Sequence, residues 1–106
     1  MMLQIPMSHK ALSLLGIARR AGKLSWHEDA NLAAIRSGRA VLLILADDAG
    51  LSSAKKYLDK CLYYNVPLVR GVSREDLGRA IGTAPRTAVA VLDDGFAKKM
   101  KKLFEM

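Results

Sequence analysis

Six consecutive apolar residues, 41–46, form the most uniform hydrophobic stretch that can make a strand. Because no polar position alternates with the apolar ones, the pattern predicts a strand that is buried on both faces. Gly38 lies before the stretch, and the turn residues 47–50 follow it. A strand without a polar face must be covered on both sides by helices. The pattern therefore predicts a layered α/β domain with this strand near the middle of its sheet.

Helical periodicity before that strand predicts two helices. Residues 8–21 have a wide apolar stripe, with Ser8 placed to cap the first turn and Gly22 placed for a left-handed C-terminal turn. Residues 28–37 form the second helix, and Gly38 ends it. We expect its small apolar residues to pack inward: Ala30, Leu32, Ala33, Ala34 and Ile35.

The rest of the chain alternates helices and strands. Ser52 or Ser53 is expected to cap a third helix that ends near residue 64, with Ala54, Tyr57, Leu58, Cys61 and Leu62 facing inward. Ser73 is expected to cap a fourth helix over 74–81, and a fifth helix covers 96–104. Residues 67–69 and 87–92 are predicted strands, and residues 23–27 supply a short edge strand.

The charge of the chain favours a polyanionic partner. Its 106 residues hold 17 Lys and Arg against 10 Asp and Glu, so the net charge is +7. The alternative is a basic surface that is simply solvated. The single cysteine, Cys61, excludes a disulfide framework and is expected to be a packed, inert thiol. Residues 1–7 do not resemble a signal peptide, and no stretch could span a bilayer, so we expect a cytoplasmic protein without membrane contact.

Candidate catalytic chemistry is sparse. The glycines do not match a phosphate-binding loop, and neither His9 nor His27 has neighbours at metal-ligand spacing. Two acidic pairs, at residues 47–48 and 93–94, each follow a predicted strand. They could bind a metal or act as acid and base, but they also suit turns and helix starts. We expect neither a catalytic residue nor a metal site, and no enzyme activity.

Basic residues gather at the end of the first helix. Arg19, Arg20 and Lys23 suit the negative end of the helix dipole, and they also place a basic cluster beside the next loop. That loop holds Trp26, the only tryptophan. Its ring could stack on an exposed base or pack against the first helix.

Several segments of the chain resemble one protein family. Residues 14–24 read LLGIARRAGKL, residues 59–67 read DKCLYYNVP, residues 77–82 read LGRAIG, and residues 89–97 read VAVLDDGFA. In this order they resemble the family of archaeal ribosomal protein L7Ae, which binds kink-turn RNA, and more closely its small bacterial members of the YlxQ type. The resemblance covers essentially the whole chain. It implies a three-layer α-β-α sandwich, which with the predicted elements gives a mixed four-stranded sheet and about five helices in one domain, 1–106.

The resemblance also implies a function. Members of this family bind structured RNA, commonly ribosomal RNA, as monomers and without a cofactor. The family's recognition motif is degenerate in this chain. His27 stands where the family has glycine, Asp29 where it has asparagine, Ala30 where it has glutamate and Ala33 where it has lysine. Asp29 cannot donate a hydrogen bond as asparagine does, and its charge repels phosphate.

Other positions match the family better. They lie before the loop, after the central strand and before the last strand. The matching candidates for RNA binding are Arg19, Arg20, Gly22, Lys23, Asp48, Thr83, Ala84, Pro85 and Arg86. The other candidates are Trp26, for its ring, and the residues His27, Glu28 and Asp29 at the start of the second helix. Two alternatives stay open: a protein-interaction module of the same fold that has lost specific RNA binding, and an enzyme that uses the acidic turns.

Overall fold

The computed structural model describes residues 6–103. The chain forms five helices and four strands within that range. In order these are α1 His9–Arg20, β1 Leu24–Ser25, α2 Glu28–Arg36, β2 Leu42–Leu45, α3 Leu51–Tyr63, β3 Leu68–Val69, α4 Arg74–Ile81, β4 Ala88–Val91 and α5 Asp94–Leu103. Phe104, the predicted end of the last helix, lies outside the described residues. Residues 1–5, which belong to the segment 1–7 compared above with a signal peptide, also lie outside them.

The sheet has the order β1-β4-β2-β3 and mixes both strand directions. The predicted central strand, β2, lies between two neighbours: it runs parallel to β3 and antiparallel to β4. The short β1 forms the edge and pairs antiparallel with β4, as the sequence predicted for residues 23–27. All four residues of β2 are fully buried, which confirms the interpretation of the uninterrupted apolar stretch.

Helices cover both faces of the sheet and make it a three-layer α-β-α sandwich. Leu42 and Ile44 of β2 point into a core that they share with α1, α4 and α5. Leu43 and Leu45 point to the opposite face, where α2 and α3 complete the second core. The fold class predicted from the sequence is confirmed. No helix within residues 6–103 is long and apolar enough to cross a membrane.

The predicted starts of α1 and α4 are confirmed, whereas α5 begins at Asp94 and not at residue 96. The hydroxyl oxygens of Ser8 and Ser73 accept hydrogen bonds from backbone N–H groups in the first turns of α1 and α4. The predicted cap of α3 is wrong. Gly50 precedes that helix without a side-chain cap, and Ser52 and Ser53 lie inside its first turn. Cys61 is buried, as predicted, and burial raises the pKa of its thiol to about 11.

Some predicted inward positions are wrong as well. Leu62 is exposed although Cys61 beside it is buried, because successive helical residues are rotated by about 100°. Ile17, which belongs to the apolar stripe predicted for residues 8–21, is about half exposed for the same reason. In α2 the buried positions are Asn31, Ala34 and Ile35, and this register leaves Ala30 and Ala33 exposed to solvent.

Candidate nucleic-acid interface

One end of the sheet gathers the segments that the sequence singled out. Because β1 and β2 are both antiparallel to β4, and β3 is parallel to β2, the carboxyl ends of β1, β2 and β3 lie at the same edge as the start of β4. Residues 26–28 follow β1, residues 46–50 follow β2, and residues 82–87 lead into β4. This edge of the sheet therefore joins three distant parts of the sequence.

One glycine ends α1, and another allows α1 to pack closely against α4. Gly22 adopts a left-handed conformation with φ +71°, and its N–H donates to the carbonyl oxygen of Arg19. The N–H of Lys23 donates to the carbonyl oxygen of Ala18, which completes a Schellman turn. At Gly16, an added Cβ would lie 3.0 Å from the carbonyl oxygen of Ala80 in α4. Gly16 therefore lets α1 lie close to α4, and the turn at Gly22 directs the chain into β1.

The Arg19 side chain connects α1 with two of the loops. Its guanidinium carbon lies 5.1 Å from the centroid of the Trp26 ring, within the range of a cation–π contact. One guanidinium nitrogen also lies 3.8 Å from the ideal Cβ position of Gly82 at the end of α4. Trp26 is half-buried and packs against the core that includes α1. Of the two alternatives for Trp26, packing against the first helix is therefore confirmed in part. The ring also contacts the guanidinium group of Arg19.

The loop before β4 is held in place by hydrogen bonds of the Thr83 hydroxyl and by close packing on α4. Gly82 is left-handed with φ +77°, and the Thr83 hydroxyl donates to the carbonyl oxygen of Ala84 at 2.8 Å and accepts from Nε of Arg86 at 3.2 Å. At Gly78 an added Cβ would lie only 2.2 Å from the carbonyl oxygen of Ala84. The absence of a side chain at Gly78 therefore allows this loop to pack against α4.

A cleft of about 210 Å³ separates this loop from the start of α2. Its walls come from the connection after β1, from the loop before β4 and from α3. They comprise Trp26, His27, Glu28, Ser53, Tyr57, Pro85, Arg86, Thr87 and Ala88. Five of the predicted site residues thus line one cleft, and Arg19 contacts its Trp26 wall.

A buried polar residue lies beneath that cleft. Asn31 of α2 is fully buried, and its amide nitrogen donates to the Tyr57 hydroxyl at 3.2 Å and to the carbonyl oxygen of Ala88 at 3.1 Å. Its amide oxygen accepts a hydrogen bond from the Ser25 hydroxyl at 2.6 Å. This network joins β1, α2, α3 and β4. Burial raises the pKa of Tyr57 above its ordinary value.

The sequence interpretation missed Asn31. The available signal was its spacing, because Asn31, Ala34 and Ile35 follow the i, i+3, i+4 pattern of a buried helical stripe. An asparagine in that stripe must find partners inside the protein, since a buried amide without hydrogen bonds is costly.

The acidic candidates near the cleft have different surroundings. Glu28 and Asp29 are both exposed. Glu28 forms an ion pair of 2.6 Å with Lys56 of α3, and Asp29 takes part in none of the ion pairs within residues 6–103. The Asp48 carboxylate accepts the backbone N–H of Arg74 at 2.8 Å, and that hydrogen bond lowers the pKa of Asp48. Asp48 therefore holds the start of α4. Within residues 6–103, no group of three His, Cys, Asp or Glu side chains is placed to hold a metal ion.

The degenerate motif positions lie on the surface of α2. His27 precedes the helix with φ −100° and ψ 145°, an ordinary extended conformation that does not require glycine. Ala30 and Ala33 are exposed in the following turns. A glycine at residue 27 would therefore act through closer approach of a ligand to the backbone and not through backbone geometry.

Two basic candidates lie outside the cleft. Arg20 lines a shallow groove of about 290 Å³ together with Arg19, Arg79 and Gly82. Lys23 lies at the other end of β1, where its carbonyl oxygen accepts the N–H of Leu92. Five of the thirteen predicted site residues thus line the cleft, Arg19 and Arg20 lie at its margin, and Lys23 stands apart from it.

A family profile matches nearly all of the described chain. The family is described as the ribosomal protein L7Ae/L30e/S12e/Gadd45 family, and the match covers residues 9–101. The chain belongs to this family. The resemblance drawn from the sequence segments is thereby confirmed.

Among proteins similar to this family member is one named RNA-binding protein YlxQ, from Bacillus subtilis (strain 168). It is 48% identical over 92 residues, which cover 87% of this chain and 92% of the relative. The relative's name matches the bacterial YlxQ type indicated by the sequence.

Solved structures show the same fold. A protein of unknown function from Bacillus halodurans C has a TM-score of 0.88 and 41% identity, with 93% of this chain and all of that chain covered. The Giardia lamblia 15.5kD RNA binding protein has a TM-score of 0.75 at 22% identity, with 96% and 92% of the two chains covered. The second match, at low identity, supports the fold alone.

Proposed function

We propose that this protein binds structured RNA of the kink-turn type, with ribosomal RNA as its expected partner. Residues 1–106 act as one RNA-binding domain, as a cytoplasmic monomer without a cofactor. The contact region is the cleft surface, which we define as Arg19, Arg20, Trp26, His27, Glu28, Thr83, Ala84, Pro85 and Arg86. Gly22, Asp29 and Asp48 support or border it, and Lys23 extends its charge along β1.

The convergence of distant segments carries this proposal. Arg19 ends α1, Trp26 follows β1, and Gly82 begins the loop before β4, yet Arg19 lies against both of the others. Pro85 and Arg86 form the opposite wall of the cleft that Trp26 lines. Candidate RNA-binding residues from three parts of the sequence therefore lie close together, which supports the proposal.

The charges of the cleft surface suit the phosphate backbone. Within residues 6–103, the ion pairs involve other cations, and Arg19, Arg20 and Arg86 take part in none of them. Guanidinium groups bind phosphate oxygens through two parallel hydrogen bonds. Trp26 adds an aromatic surface on which an unpaired base can stack.

The recognition mode follows from what α2 lacks. Asp29, Ala30 and Ala33 do not supply the hydrogen bonds and the charge that the family motif uses for the sheared G·A pairs. Phosphate contacts position an RNA but do not read its sequence. The protein therefore binds the kinked element with weak discrimination. The name of the Bacillus subtilis relative supports RNA binding over the alternative of a protein-interaction module.

A gel-shift titration tests this function. The unmodified protein is titrated against a kink-turn hairpin, an unkinked duplex of equal length and a ribosomal RNA fragment, each at several salt concentrations. We expect binding to all three at low salt, a steep loss of affinity with salt, and a modest preference for the kinked RNA. Failure to bind any of them at low salt would contradict the proposal and favour the protein-interaction alternative.

A further inference from the structure

Helix α5 presents a second basic surface, which the cleft surface does not include. Its buried positions, Ala97 and Met100, fix the helix against the core. The remaining face carries four lysines within five residues: Lys98, Lys99, Lys101 and Lys102. Together with Gly95 they line a shallow groove of about 560 Å³. We call this region the α5 lysine face.

The lysines of α5 do not form the ion pairs that stabilise two other helices. In α3 and α4, cations stand four residues from carboxylates, and they form the pairs Lys55–Asp59 and Glu75–Arg79. In α5, Asp94 stands four residues before Lys98, but the two form no ion pair. Lys98 and Lys102 have the same spacing and are both cations, and like charges at i, i+4 repel each other. The helix dipole favours cations in the last turn only, which leaves Lys98 and Lys99 without that explanation.

Within residues 6–103, none of the four lysines forms an ion pair. The nearest carboxylates in the sequence are Asp93 and Asp94 before the lysines and Glu105 after them. The α5 lysine face therefore keeps most of its charge available for a partner.

The composition of the face selects the kind of partner. Protein interfaces are enriched in aromatic residues, methionine and arginine and are depleted in lysine. The large exposed hydrophobic side chains of the described chain are on α1 and α3 or directly after α3, and none is on α5. A row of ammonium groups without an apolar anchor suits the phosphates of a nucleic acid, which lysine binds as a point charge.

The position of α5 connects this face to the proposed site. The N–H of Leu92, just before α5, donates to the carbonyl oxygen of Lys23 at 2.8 Å. Lys23 follows the turn that ends α1, and α1 carries Arg19 and Arg20 in its last turn. Lys23 therefore lies between the cleft surface and the start of α5, where Asp93 and Asp94 precede the lysines.

We propose that the α5 lysine face binds the phosphate backbone of a helical arm that extends from the RNA held at the cleft surface. This inference rests on the proposed function. It gives the protein a footprint on two segments of one RNA: the cleft surface holds the structured element, and α5 holds the adjoining arm through charge alone.

The test compares RNAs that share the structured element and differ in the length of one arm. The set contains a minimal hairpin and two RNAs in which either arm is lengthened by ten base pairs. For the unmodified protein we expect one of the long RNAs to bind about tenfold more tightly than the minimal RNA. The slope of log affinity against log salt should be steeper for that RNA by roughly two to four units, because each phosphate contact contributes about one.

The variant K98Q, K99Q, K101Q and K102Q should bind the long and minimal RNAs equally, while its affinity for the minimal RNA stays unchanged. The matched control is K10Q, R36Q, R39Q and K60Q, which removes the same charge from cations that are exposed and outside both surfaces. It should keep the preference for the long RNA. The melting temperature of the α5 variant should be no lower than that of the unmodified protein, since repulsion within α5 is removed.

Three outcomes would overturn the α5 inference: equal binding of all RNAs by the unmodified protein, an unchanged preference in the α5 variant, or an equal loss in the matched control. A protein that binds the minimal RNA but fails these tests would retain the proposed function without the α5 contact. A protein that fails to bind the minimal RNA would instead contradict the proposed function itself.

Discussion

The guanidinium carbon of Arg19 lies 5.1 Å from the centroid of the Trp26 ring. Arg19 belongs to the last turn of α1, and Trp26 belongs to the connection between β1 and α2. The contact therefore fixes a cation over the face of an aromatic ring at the margin of the cleft. An RNA base that stacks on this ring would meet a phosphate-binding group beside it.

We predict that Trp26→Ala weakens RNA binding by about 1–3 kcal/mol, the value of one base stacked on an aromatic side chain. The variant should stay folded, although it loses the packing of a half-buried ring. Affinity is measured by fluorescence anisotropy and stability by thermal melting. Trp26→Phe is the control, because it keeps a stacking surface and should retain more of the affinity than the alanine variant. Intact affinity with a large drop in melting temperature would mean that the ring serves the core only.

We predict that Gly78→Ala destabilises the protein and weakens RNA binding. In an ordinary helix this change stabilises by up to about 1 kcal/mol. Here the new Cβ would lie 2.2 Å from the carbonyl oxygen of Ala84, so the loop before β4 must move. The expected net cost is about 1–3 kcal/mol in urea denaturation, which is typical of overpacking. The control is Gly50→Ala, where an added Cβ meets nothing within 4 Å and the cost should be small. If Gly78→Ala left both stability and RNA affinity unchanged, the packing of the loop before β4 on Gly78 would not be needed for either.

We predict that Asn31→Leu costs about 2–4 kcal/mol of folding free energy. The substitution leaves the Ser25 hydroxyl and the carbonyl oxygen of Ala88 without their hydrogen-bond partner, and each buried unsatisfied group costs about 1–3 kcal/mol. Tyr57→Phe removes only one hydrogen bond of the same network and should cost about 1 kcal/mol. Both values come from chemical denaturation. Equal costs for the two variants would argue against Asn31 as the centre of the network.

We predict that the combined variant His27→Gly, Asp29→Asn, Ala30→Glu and Ala33→Lys discriminates kinked from plain RNA better than the unmodified protein. All four positions are exposed, so the surface can accept the new side chains without repacking the core. Because the motif acts as a unit, single restorations should change little. The ratio of affinities for kink-turn and unkinked RNA is the measurement. A high ratio already in the unmodified protein would mean that other groups, such as Glu28 or the backbone of residues 82–86, read the RNA.

The layers of this fold were predictable because each left a local signal. The apolar run of β2 had to be buried on both faces, and Ser8 and Ser73 marked helix starts by a side chain that needs only its own turn. The errors occurred where a helical register had to be chosen among several apolar residues. Leu62, Ala30 and Ala33 lie at the margins of stripes whose centres are set by contacts with the sheet.

The candidate site was predictable in its segments but not in its geometry. Arg19 and Trp26 belong to different elements, and no sequence pattern indicates that the Arg19 guanidinium lies over the Trp26 ring. Nothing in the sequence distinguishes Gly78 from any other glycine inside a helix, because the loop that packs against it begins several residues later. Asn31 forms hydrogen bonds with residues of β1, α3 and β4. No local sequence pattern indicates hydrogen-bond partners that are distant in sequence.

The most direct test of the proposed RNA contact is the salt dependence of binding in charge variants. The variant Arg19→Gln, Arg20→Gln and Arg86→Gln is compared with Arg36→Gln, Arg39→Gln and Lys60→Gln, which has the same net charge.

We predict that the first variant lowers the slope of log affinity against log salt by roughly two to three units and weakens binding to every RNA about equally, because phosphate contacts carry no sequence information. The second should keep the slope of the unmodified protein. Adding Lys23→Gln to the first variant should lower the slope by about one further unit. An unchanged slope in the first variant, or an equal decrease in both, would contradict binding at the cleft surface.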